Sequence, residues 1–132
     1  MTTGNRPLSP HLQVYRLPLT ALLSITHRAT GVFLSFGLLF LSCWLLSIAM
    51  GPQTYTDVMS HVGAWYGQIL LFGVSFALFY HMSNGIRHLC WDIGIGLTKE
   101  ATYKTSFIVI ASAILLTCAT WITAYACMGG AQ

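Results

Sequence analysis

The residues able to do chemistry are few, and most sit where a membrane segment begins or ends. "SITHRATG" (Ser24–Gly31) opens a long apolar run. Ser24, His27, Arg28 and Gly31 follow the i, i+3, i+4, i+7 spacing that puts side chains on one helical face. One reading is an interfacial basic pair whose heads snorkel to water. The other is a ligand site, in which Gly31 lets a bulky group approach the backbone. His81 lies nearly two helical turns before Arg87, roughly 9 Å deeper in an apolar segment. A histidine there is either a hydrogen-bonded packing residue or an axial ligand to haem iron. His81, Asn84, Gly85, His88 and Asp92 again share a helical spacing. Gly85 removes a side chain that would collide with a flat macrocycle, which favours haem over packing. If helix pairing brings His27 and Arg28 to the same depth as His81, their positive charge suits the propionates. No second ligand lies in register, so a six-coordinate haem needs a histidine from another chain.

The elements that position these residues are legible in the charge pattern. The chain has 132 residues, 55% hydrophobic and 7% charged, against about 25% charged in soluble domains. Ala29–Thr56, Val58–Ile86 and Thr105–Gln132 contain no Asp, Glu, Lys or Arg. Each stretch exceeds the roughly 20 residues that cross a bilayer core as a helix. The expected fold class is an all-α integral membrane protein with three transmembrane helices near 24–50, 62–92 and 105–128. They form a single membrane-anchor domain over 1–132, preceded within it by an arm over 1–22. "MGPQTY" (Met50–Tyr55) supplies a Gly-Pro break after the first helix, and "DIGIGLTKE" (Asp92–Glu100) supplies glycines and charge after the second. Arg6, Arg16 and Arg28 precede or open helix one; Arg87, Lys99 and Lys104 close helix two and open helix three. The positive-inside rule then puts the N-terminus in the cytoplasm or mitochondrial matrix and the C-terminus on the opposite side. The start of the chain shows no cleavable signal, and a bacterial inner (cytoplasmic) membrane is expected, with the mitochondrial inner membrane as the alternative.

Other chemistry is poorly represented. There is no Gly-rich phosphate loop, HExxH or CxxC. Asp57, Asp92 and Glu100 are too few and too peripheral for a carboxylate pair. The basic residues mark topology and form no nucleic-acid stripe. Cys43, Cys90, Cys118 and Cys127 read as small buried hydrophobes. Tyr55, Trp65 and Tyr66 fit an aromatic belt at one interface, and Tyr15, Tyr80, Trp91 and Tyr103 one at the other. Trp91 is also a candidate contact for an extrinsic partner. Small residues, among them Gly31, Ser35, Gly67 and Ala113, suit close helix packing within and between subunits.

"RPLSPHLQVYRLPLTALLSITHRATG" (Arg6–Gly31) resembles the first signature of the cytochrome b membrane-anchor subunits of succinate dehydrogenase, respiratory complex II. The matching positions are Arg6, Pro7, Leu8, Ser24, His27, Arg28 and Thr30. "HMSNGIRHLCWDIG" (His81–Gly94) resembles the second, through His81, Gly85, Ile86, Arg87, His88, Trp91, Asp92 and Gly94. The resemblance implies a subunit that passes electrons from an iron–sulfur subunit to ubiquinone and is not catalytic alone. It implies haem b, with His81 as one axial ligand and the other supplied by a second small membrane-anchor subunit. His27 and Arg28 would meet the propionates, and Ser24 and Arg28 would line the quinone site. Arg87, His88 and Asp92 would lie at the haem rim or a subunit interface. Further implied partners are a flavoprotein subunit, the lipid bilayer and no nucleic acid. The arm "NRPLSPHLQVYRLP" would contact the iron–sulfur subunit. An arginine and a hydroxyl suit the negative charge gained by reduced quinone oxygens. The competing readings are the anchor of a fumarate-reducing menaquinone enzyme, and a non-redox transporter subunit. The latter lacks the mid-depth carboxylates that a proton path needs.

Overall fold

A computed structural model describes residues 16–129, and all regular structure among them is helical. The elements are α1 (Leu19–Met50), α2 (Pro52–Gly63), α3 (Trp65–Asp92) and α4 (Lys99–Gly129). α1, α3 and α4 are long and apolar enough to cross a membrane, and the chain is a multi-pass membrane protein. At 1.5 Å per residue α1 is about 48 Å long, well beyond a hydrocarbon core of about 30 Å.

Against the expected 24–50, 62–92 and 105–128, the ends at Met50 and Asp92 are as expected and the starts differ. α1 begins at Leu19, so the last residues of the expected 1–22 arm are helical. α4 begins at Lys99 and takes in Lys99, Glu100 and Lys104. Helices do not stop where apolar sequence stops, because long charged side chains at their ends reach water from a helical backbone. Thr98 caps α4, its Oγ1 accepting the Ala101 N–H at 3.2 Å. The turn before it uses Gly94 at φ 81° and Gly96 at φ 79°, which a residue with a Cβ adopts poorly.

The first connection is not an open loop. After the Gly51–Pro52 break the chain forms a further helix, α2, with the proline in its first turn. Tyr55, Val58, Met59 and Val62 lie at helical spacing and make α2 amphipathic. Ala64 is extended, and α3 starts from there.

α3 lies between α1 and α4. Pairings of Leu23 with Asn84, Thr26 with Tyr80 and Gly37 with Val74 show that α1 and α3 are antiparallel. Arg87 with Thr102, Ser83 with Ser112 and Ser75 with Trp121 show the same for α3 and α4. The start of α1, the end of α3 and the start of α4 therefore share one end of the bundle. That end carries Arg16, Arg28, Arg87, Lys99 and Lys104.

The interior is more polar than the surface. Asn84, Ser106 and Thr117 are fully buried, with Leu23, Tyr80, Val109 and Ala113 forming the apolar core beside them. Phe36, Leu38, Leu39, Ile108 and Leu115 are exposed. In a hydrocarbon solvent this costs nothing, and tight helix contact relies on small residues and internal hydrogen bonds. Cys43, Cys118 and Cys127 are exposed free thiols and Cys90 is half-buried, so the expected burial does not hold.

Candidate functional site

At the charged end α1 and α3 interlock through imidazoles. His27 of α1 inserts between His81 and His88, which lie two turns apart on α3. The His27 and His81 ring centroids are 4.0 Å apart and the planes 16° from parallel. His27 and His88 are 5.3 Å apart and tilted. His88 then meets Trp91 edge-on at 4.9 Å, and the Arg87 guanidinium lies 4.2 Å over the Trp91 ring. One file of neighbouring groups thus runs His81, His27, His88, Trp91, Arg87.

His81 is held at one nitrogen. Its Nδ1 lies 3.1 Å from the His27 carbonyl oxygen and 3.3 Å from Thr30 Oγ1. A carbonyl only accepts, so Nδ1 carries the proton and a neutral ring has its lone pair on Nε2. That lone pair lies in the ring plane, and stacking by His27 covers the face without occupying it. Gly31 makes the approach possible: a Cβ there would come within 3.1 Å of His81 Cε1. His27 Nδ1 is buried without a hydrogen-bond partner among the described residues.

A second set of polar groups lies beside the first, facing the core. Tyr80 OH and Asn84 Nδ2 both donate to the Leu23 carbonyl, at 3.2 and 3.1 Å. Tyr80 OH is also bonded to Thr26 Oγ1. Arg87 is buried and donates to Asn84 Oδ1 at 3.3 Å and to the Thr102 carbonyl at 3.1 Å. Its Nε has no partner among the described residues. This network ties α3 to both neighbours.

Several sequence expectations are redistributed by this geometry. The single face drawn through His81, Asn84, Gly85, His88 and Asp92 divides. Tyr80, Asn84 and Arg87 turn to the core, while His81, Gly85 and His88 turn to His27; Asp92 is exposed. A residue step of 100° allows two adjacent stripes where a loose spacing count merges them. Ser24, His27, Arg28 and Gly31 divide too. His27 and Gly31 face α3, Ser24 is half-buried and Arg28 is exposed. Arg87 is not a snorkelling interface marker, since it is buried. Tyr80 is a core residue rather than part of an aromatic belt, and its hydroxyl is satisfied inside the bundle. Trp91 is half-buried and donates to the Gly96 carbonyl at 3.3 Å, so its indole is engaged within the chain. Thr26 and Tyr80 were missed as site neighbours. The i, i+4, i+7 stripe Tyr80–Asn84–Arg87 was the available signal. Arg6, Pro7, Leu8 and most of the arm lie outside the described residues.

Comparison with known proteins identifies the family of the chain. The family model described as succinate dehydrogenase/fumarate reductase transmembrane subunit matches residues 2–120. A succinate dehydrogenase cytochrome b556 subunit of Paracoccus denitrificans is 44% identical over 119 residues, covering 90% of this chain and 92% of that protein. One from Rickettsia felis is 42% identical, with 90% and 93% covered. The mitochondrial succinate dehydrogenase cytochrome b560 subunit of Sus scrofa is 39% identical over 117 residues, 85% of this chain and 68% of that protein. Matches of this length and identity, over a helical membrane bundle whose two polar segments interlock at one end, mean that the chain belongs to the succinate dehydrogenase/fumarate reductase transmembrane subunit family.

Proposed function

We propose that this chain is the haem b-binding and quinone-binding anchor subunit of a succinate:ubiquinone oxidoreductase. The observation that carries the proposal is the environment of His81. Metal-ligating histidines commonly donate one ring N–H to a backbone carbonyl, which fixes the tautomer and raises the basicity of the other nitrogen. His81 Nδ1 against the His27 carbonyl is that arrangement. Gly31 lets the His81 ring seat against α1, and the buried His27 Nδ1, unpartnered among the described residues, supports the fit of a polar-edged group beside it. Haem b, when bound, would supply one-electron redox chemistry. This chain's part would be to hold it through His81, with His27 and Arg28 available to its propionates and His88 nearby. A partner anchor subunit would supply the other ligand.

Ser24 and Arg28 are assigned to the quinone. Arg28 is exposed at the charged end and has no carboxylate partner among the described residues, so its guanidinium is available to an oxygen that gains negative charge on reduction. A low-dielectric surrounding strengthens such a contact. The basic residues at this end support an orientation with the N-terminus toward the cytoplasm or matrix, where iron–sulfur and flavoprotein subunits would dock. The membrane would be a bacterial inner membrane or its mitochondrial counterpart. The succinate dehydrogenase names of the relatives above support the succinate-oxidising direction over fumarate reduction.

The test is a split between two activities of the purified complex. Arg28→Ala removes a charged hydrogen bond of about 1.5–3 kcal/mol. Quinone reduction should fall on the order of 10- to 100-fold, while succinate oxidation with a soluble artificial acceptor stays at the parent level. Equal loss of both activities would count against the quinone assignment.

A further inference from the structure

Thr30 belongs to the first signature, and its hydroxyl lies between the His27 carbonyl and the His81 ring. Its Oγ1 donates to the His27 carbonyl at 2.8 Å, the ordinary back-bond of a helical threonine. Here that carbonyl is also the acceptor for His81 Nδ1. With its hydrogen engaged, Thr30 Oγ1 presents lone pairs to the same N–H at 3.3 Å. The three groups close a triangle: Thr30 O–H to the His27 carbonyl, and the His81 N–H shared between that carbonyl and Thr30 Oγ1. Gly31, the next residue, leaves the ring room to sit there.

We propose that Thr30 is a positioning residue that fixes the ring orientation of His81 and, by acting as a second acceptor for Nδ1–H, sets the electron-donating strength of Nε2. The inference rests on His81 being a haem ligand. A ring nitrogen whose opposite N–H is held by two acceptors is the stronger donor, and stronger donation favours the oxidised iron. Removing one acceptor moves the midpoint potential upward. Thr30 touches neither substrate nor iron, so its effect is read through His81.

The experiment uses the whole complex with Thr30→Val, Thr30→Ala and Thr30→Ser. Midpoint potential is measured by redox titration of the b-type band, and the low-spin ferric signature by electron paramagnetic resonance. Valine keeps the volume and loses the hydroxyl; it should raise the potential and shift the resonance. Alanine should do the same, and decides the matter if the valine variant does not assemble. Serine should restore both readouts to the parent values. A potential and resonance unchanged in valine and alanine overturn this inference while leaving haem ligation intact. A b-type band that persists in His81→Ala overturns the ligand reading itself, and this inference with it.

Discussion

The two ends of the bundle handle polar groups in opposite ways. At the charged end, polar side chains are drawn inside. Asn84 and Arg87 are buried and bonded across helices, and three histidines pack in one file. At the other end, α1, α2 and α3 surround a cavity of about 210 Å³ lined by Phe33, Phe36, Phe40, Leu70 and Val74. Its polar pair, His61 Nδ1 with Tyr66 OH at 2.6 Å, is exposed, as is the Tyr125–Gln68 bond. Burying polar groups in a membrane bundle is costly unless they are satisfied. Toward the other end the buried polar groups Ser47 and Thr117 are single hydroxyls that donate to carbonyls of their own helix, whereas polar groups bonded across helices are buried at the end where imidazoles, a guanidinium and hydroxyls converge. The far end is built as an ordinary lipid-facing closure, with the amphipathic α2 covering the turn.

Glycines give the largest expected contrast. Gly31→Leu adds bulk where even a Cβ meets the His81 ring at 3.1 Å, and should abolish the b-type band of the assembled complex. Gly73→Ala puts a methyl into open space on α3, the helix that carries His81, and should leave the band unchanged and the complex at least as stable. A normal band in the first variant would remove the reason for giving Gly31 a role at the site.

Hydrogen bonds give a smaller one. Asn84→Leu leaves Arg87 Nη1 without its Asn84 acceptor in a buried setting and should destabilise the complex by about 1–3 kcal/mol. Tyr125→Phe breaks an exposed bond at the far end and should cost less, about 0.5–1.5 kcal/mol or below. Thermal inactivation of the detergent-purified complex measures both. Equal effects would mean that the core network is no more important than a surface contact.

The sequence revealed different parts of this contrast unequally. Long uncharged runs set the membrane helices, because bilayer thickness demands them. His81 and His27 were identifiable because imidazoles within apolar helices are rare. Charge placement also put His27, Arg28 and His81 at the same end, and the antiparallel bundle agrees. What spacing could not separate was the core-facing stripe of Tyr80, Asn84 and Arg87 from the neighbouring stripe of His81, Gly85 and His88. Only helix–helix register does that, and register depends on which α1 carbonyls meet α3. Thr26 and Thr30 act through backbone oxygens of Leu23 and His27, contacts with no residue-type signature. α2 was hidden because its polar composition resembles a loop until Tyr55, Val58, Met59 and Val62 are placed on one face.

The proposed haem role places redox chemistry at the His27–His81 crossing and not at His61. The most direct measurement is a reduced-minus-oxidised spectrum of the purified complex carrying either His81→Ala or His61→Ala, one imidazole removed from each end. The b-type band should vanish in the first and match the parent in the second, with the subunits still assembled in both. A band retained without His81, or lost without His61, would contradict the account.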